Sequence, residues 1–135
     1  MKVIVDTSIW SEALRKIQTP TRASYTSELK ELISEGRVVL LGSIRQEILS
    51  GIRHSDQFEN LKSQLSSFED HPITSQDYEL AAELFNQCRS KGIQGSNTDF
   101  LICAVSLRNR FSIFTTDLDF KHFSKHIKIH LYQTR

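Results

Sequence analysis

One stretch constrains this chain more than any other: Lys2-Val3-Ile4-Val5-Asp6-Thr7-Ser8, close to its start. The run to Val5 is apolar and β-branched, with no polar alternation. That pattern fits a strand covered on both faces, as in a parallel sheet. An aspartate closes it. In open α/β sheets ligands bind just beyond the carboxyl ends of the strands, so Asp6 stands where chemistry is usually placed. Thr7 and Ser8 are residue types that cap a following helix.

The remaining residues extend this pattern. Arg37-Val38-Val39-Leu40-Leu41, Phe111 to Thr116 and Ile127 to Tyr132 read as further strands. Between them, apolar spacing predicts helices over 8–16, 23–35, 44–52, 55–68, 76–90 and 99–110, with a short one over 120–125. Residues 17–22, containing Pro20, read as a break. Ser43 and Gln46 have the spacing of a capping box, and Thr74, Ser75 and Ser96-Asn97-Thr98 are helix-start signals. Phe58, Leu61, Leu65 and Phe68 form a helical stripe suited to a core or dimer contact. Helices alternating with strands predict an α/β fold, a three-layer α/β/α domain with a mainly parallel central sheet. With 135 residues, 39% hydrophobic and 24% charged, the chain suits one domain over 1–135 around one core.

Four acids then fall on one edge of that sheet. Asp6 and Asp117 each follow a strand. Glu47 and Asp99 stand near the starts of helices that border the core. Strand C-termini and the N-termini of following helices share an edge in such a sheet. Two carboxylates about 5 Å apart repel by roughly 3 kcal/mol at an effective dielectric near 20. Four together must therefore take up protons or bind a cation. All-oxygen donors favour Mg²⁺ or Mn²⁺ over Zn²⁺, and such an ion can activate water and bind phosphate oxygens. Ser8 and Thr115 are placed to hold carboxylates or waters beside it.

The sequence resembles the PIN-domain ribonucleases, and in length and layout the VapC-type toxins of toxin–antitoxin pairs. The resemblance is carried by Val-Ile-Val-Asp6-Thr-Ser8, Gln46-Glu47-Ile-Leu-Ser-Gly51, Thr98-Asp99-Phe-Leu-Ile-Cys-Ala104 and Ile-Phe-Thr115-Thr-Asp117-Leu-Asp119-Phe120. It implies that Asp6, Glu47, Asp99 and Asp117 are the catalytic, metal-binding acids, with Ser8, Thr115 and Asp119 beside them. It further implies a Mg²⁺- or Mn²⁺-dependent endoribonuclease acting on RNA, dimerisation as a homodimer, and inhibition by a small antitoxin protein.

Other features weigh on this reading. A phosphotransferase using Asp6 as nucleophile, of the haloacid-dehalogenase kind, needs a second acid two residues later, where Ser8 stands. A non-catalytic RNA- or protein-binding module with the same fold is the alternative function. Net charge is +1, but residues 121–135 hold Lys121, Lys125, Lys128 and Arg135 and no acid, which suits a phosphate-bearing partner. Arg45, Arg53, Arg89, Lys91 and Arg108 are candidate phosphate contacts or plain solvated side chains. Trp10 reads as packing. His122 and His126 read as surface or RNA-contacting residues rather than ligands. Cys88 and Cys103 form no disulfide framework and fit reduced, packed thiols. Nothing reads as a signal peptide or membrane span, so a cytoplasmic protein with no membrane partner is expected.

Overall fold

The computed structural model describes residues 1–135. Three short parallel strands form the sheet: β1 (Val3–Val5), β2 (Val38–Val39) and β3 (Ser112–Phe114), in the order β2-β1-β3. Val3 aligns with Val38 and with Ser112, so β1 is the central strand and is fully buried. Seven helices surround it: α1 (Thr7–Ala13), α2 (Pro20–Ser34), α3 (Gly42–Leu49), α4 (Ser55–Leu65), α5 (Ser75–Ser90), α6 (Asn97–Asn109) and α7 (Leu118–Phe123). Together they make the three-layer α/β/α arrangement expected from the alternation. No helix is long and apolar enough to cross a membrane.

One core joins the layers. Ile4, Ile9, Leu32, Leu41, Ile44, Phe100, Ile102, Phe114, Phe120 and Phe123 are all essentially removed from water. Helix α6 is apolar on most of its circumference and runs through this core with Phe100, Ile102, Cys103, Ala104 and Val105 buried. Trp10 is packing, as expected: it is buried, donates to the Val5 carbonyl at 3.2 Å and meets Phe68 edge-on. Both cysteines are free and buried, and burial pushes both thiols above their ordinary range.

Several local expectations are corrected. The break ends earlier than expected: α2 begins at Pro20, with the Thr19 hydroxyl accepting the Arg22 N–H. Thr19-Pro20 is a cap followed by proline at the first helical position, where its missing N–H costs nothing. The Ser43–Gln46 capping box does not form. Helix α3 starts one residue before Ser43, and the Ser43 hydroxyl is buried without a partner. The last strand shrinks to one bridge, Ile113 with Leu131. Ile127 and Ile129 are buried there, so the apolar alternation reports packing at the sheet edge, not a full ladder.

Charged side chains are also redistributed. Arg45 donates to Asp70 at 2.8 Å and to the carbonyls of Leu65 and Phe68, closing the end of α4. Arg108 is bound to Asp77. Arg135 folds back onto Glu28 and Glu31 of α2 and onto Glu35, which caps its end. Neither Arg45, Arg108 nor Arg135 is therefore a free phosphate contact, and the basic tail loses one of its four charges to the body.

Candidate active site

The site is built at the carboxyl edge of the sheet. Strand β1 ends at Val5, and Asp6 follows in extended conformation as the residue before α1. Its backbone N–H donates to the Phe114 carbonyl of β3, which fixes where the carboxylate starts. Asp6 is only 8% exposed. A carboxylate so buried needs donors.

Two hydroxyls supply them, both on Oδ2. Thr115 Oγ1 donates at 2.7 Å and Ser8 Oγ at 3.1 Å. The two hydroxyls lie 3.3 Å apart. Each has a single proton. With both protons directed at Asp6, the hydroxyl–hydroxyl contact is close packing and not a further bond. Their lone pairs accept backbone donors in turn: Thr116 N–H reaches Ser8 at 3.1 Å and Asp117 N–H reaches Thr115 at 3.0 Å. The loop after β3 is thus tied to Asp6 through two side chains, which leaves Oδ1 without a side-chain hydroxyl partner.

Asp117 sits before α7 as its N-cap and accepts the Asp119 N–H at 2.9 Å. Asp119 is in the first turn of α7 and exposed. Asp99 is at the third position of α6 and closes a capping box with Ser96. It accepts the Ser96 N–H at 3.1 Å, while its own N–H donates to the Ser96 hydroxyl at 3.1 Å. Glu47 lies in the second turn of α3 and opens to solvent.

The four acids feel one another. Burial raises the Asp99 carboxyl above the ordinary aspartate range, hydrogen bonding from Ser96 opposes this, and the charges of Asp117 and Asp6 add to the rise. Partial burial also raises Glu47, again with contributions from Asp6 and Asp99. Asp119 contributes to neither shift. The salt bridges of the protein involve other acids: Glu12, Glu28, Glu31, Glu35, Glu59, Asp70 and Asp77. The edge therefore concentrates negative charge with no internal cation to offset it. No three of its carboxylates, nor any other trio of His, Cys, Asp or Glu, stand close enough to hold one ion as they are. His122 and His126 belong to no such trio either.

The donor set is all oxygen, which suits a hard divalent cation. Sequence order points to the four acids separately, whereas the Ser8–Asp6–Thr115 arrangement joins positions more than a hundred residues apart. If those hydroxyls order Asp6, removing one has a measurable price: Thr115→Val keeps the volume but deletes the 2.7 Å donor and the acceptor for Asp117 N–H. We expect it to lower activity by about 10–100-fold, the usual range for groups that orient a ligand, in a kinetic assay of purified protein. Activity within twofold of the parent would show that Ser8 alone suffices.

Comparison with known proteins adds the family. Two solved structures share the fold closely. One is FitAcB from Neisseria gonorrhoeae, at TM-score 0.78 and 17% identity, covering 98% of this chain and 97% of that one. The other is VapBC2 from Rickettsia felis bound to a DNA fragment from their promoter, at TM-score 0.78 and 20% identity, covering 98% of each. Among curated proteins no relative matches. The PIN domain family model matches residues 3–126, nearly the whole chain and all four acids, and the chain belongs to the PIN-domain family.

Proposed function

We propose that this PIN domain is a Mg²⁺- or Mn²⁺-dependent endoribonuclease and the toxin member of a toxin–antitoxin pair. The observation that carries the catalytic part is the shared field of the acids. Glu47 and Asp99 are both driven toward protonation by burial and by neighbouring carboxylates, with no cation among them. Such an edge is stabilised by a divalent ion. Asp6, Glu47, Asp99 and Asp117, an all-oxygen donor set on one edge, would hold it. When bound, the ion supplies Lewis acidity toward a phosphodiester and a more acidic water.

The chain's own residues do the rest. Ser8 and Thr115 hold Asp6 in one orientation through Oδ2. The Ser96 N–H holds Asp99, and the Asp119 N–H holds Asp117. Lys121 and Lys125, on and just after α7, are free to meet the RNA backbone.

The toxin assignment rests on the resemblance to VapC-type proteins and on full-length likeness to chains of FitAcB and VapBC2. A small antitoxin protein and a homodimer are the partners that follow. The deciding experiment is digestion of total RNA by protein stripped of any co-purified small protein, with Mg²⁺, Mn²⁺ or EDTA. Discrete fragments that require metal support the reading; intact RNA under every condition overturns it in favour of a non-catalytic binding module.

The charge argument makes a separate prediction. A divalent ion that binds only the folded state stabilises it by about 2.7 kcal/mol at a hundredfold excess over Kd. Titrating Mn²⁺ into metal-free protein at neutral pH should therefore raise the melting temperature by several degrees. A melting temperature unmoved up to high Mn²⁺ would argue against a functional metal cluster.

A further inference from the structure

A pocket of about 230 Å³ is lined by Phe85, Arg89, Ile93, Gln94, Gly95 and Phe100, the last two flanking Ser96 and Asp99 in the chain. Its wall is aromatic: Phe85 and Phe100 meet edge-on with centroids 5.5 Å apart. Its loop is pressed onto the rings. A Cβ added to Gly95 would stand 2.5 Å from Phe123 Cζ and 2.9 Å from Phe100 Cε2. The same turn carries the site, since Ser96 follows Gly95 and holds the Asp99 carboxylate at 3.1 Å. Phe100 is the next residue. Gly95 and Phe100 of the pocket thus share one short segment with Asp99.

The polar rim is uncommitted. Arg22, Arg37, Arg45, Arg108 and Arg135 are all in ion pairs. Arg89, at the end of α5, is in none, and it is exposed. No carboxylate lines the pocket. An exposed guanidinium with no carboxylate partner is well suited to a phosphate of a chain whose base enters the pocket.

We propose that this pocket receives one unpaired nucleobase of the RNA substrate, stacked on Phe85 and read by the Gln94 amide, with Arg89 on an adjoining phosphate. The inference rests on the nuclease reading above. The volume is below the ~300 Å³ at which whole small-molecule sites begin, so it admits a base and not a complete nucleotide. Aromatic rings, a guanidinium and an amide are the groups that bind splayed bases of single-stranded RNA.

The test measures binding without turnover. In the Asp6→Asn background, affinity for a labelled single-stranded oligoribonucleotide of mixed sequence is read by fluorescence anisotropy. Adding Arg89→Ala or Phe85→Leu should each weaken binding by roughly five- to tenfold or more. Arg89→Ala should also flatten the salt dependence by about 0.7 in log–log slope, one phosphate's share for a single strand. Lys30→Ala, the loss of one positive charge on α2, is the control and should stay within about twofold of its parent. Melting curves establish that Phe85→Leu folds. Both pocket variants binding as tightly as their parent, at an unchanged slope, would overturn the proposal. So would a loss confined to binding of a small protein partner. The nuclease reading fails on a different result: total RNA left intact by the stripped parent protein with Mg²⁺ or Mn²⁺, whatever the RNA affinities.

Discussion

Asp6→Asn is expected to lower RNA cleavage by at least about 100-fold while leaving the fold intact. Orienting groups around a metal ligand are typically worth 10–100-fold, so a ligand itself sets a higher floor. The substitution is nearly isosteric. The amide oxygen can still accept from Thr115 and Ser8, which donate to Oδ2 in the parent at 2.7 and 3.1 Å. What is lost is the negative charge. That loss also relieves Glu47 and Asp99, both of which Asp6 pushes upward. The metal-free variant should therefore be at least as stable as the parent, and the Mn²⁺-induced rise in melting temperature should shrink. Cleavage of total RNA and thermal melting, run side by side, check both. Retained cleavage would remove Asp6 from the chemistry and with it the proposed site.

The sequence was most legible where local pattern and tertiary role coincide. Val3-Ile4-Val5 is uniformly apolar because it is the central strand, and Asp6 follows at the carboxyl edge of that strand. Ser96-x-x-Asp99 declares both a helix start and the place of an acid. It was least legible where a partner is distant. Ser43 and Gln46 satisfy the capping-box spacing, yet α3 enters from β2 one residue earlier, and a local signal cannot weigh that packing. Arg135 reads in sequence as part of a basic tail, but Glu28, Glu31 and Glu35, some hundred residues earlier, neutralise it. Ser8 and Thr115 were placed near the acids by order alone. That both converge on one oxygen of Asp6 is a fact of three dimensions. Helix α2 is different: Thr19-Pro20 is a local start signal, in which the proline opens the helix and does not break it.

The largest effect on stability is expected at Asp77, outside the site. Its carboxylate, 2% exposed, does three things. It accepts the Thr74 N–H at 2.8 Å and so completes the capping box of α5. It accepts Arg108 at 2.7 Å, joining the start of α5 to the end of α6. It also lies 3.1 Å from the Thr74 hydroxyl. Burial alone would raise this carboxyl; the Thr74 N–H, Arg108 and the Thr74 hydroxyl outweigh it and hold it below the ordinary aspartate value. A cap is worth about 1 kcal/mol and a hydrogen bond to a charged group about 1.5–3 kcal/mol. Asp77→Ala should therefore cost about 3 kcal/mol in urea unfolding at pH 7, and Asp77→Asn less, because an acceptor remains for Thr74. A group lowered on folding contributes fully above its unfolded pKa, near 3.9, and loses that contribution as pH falls through its lower folded value. The gap between parent and Asp77→Ala should accordingly be constant from pH 7 to about 5 and narrow below pH 4. A gap that widened on acidification would mean that folding raises the Asp77 carboxyl above its unfolded value, and that the ion pair with Arg108 does not hold α5 to α6.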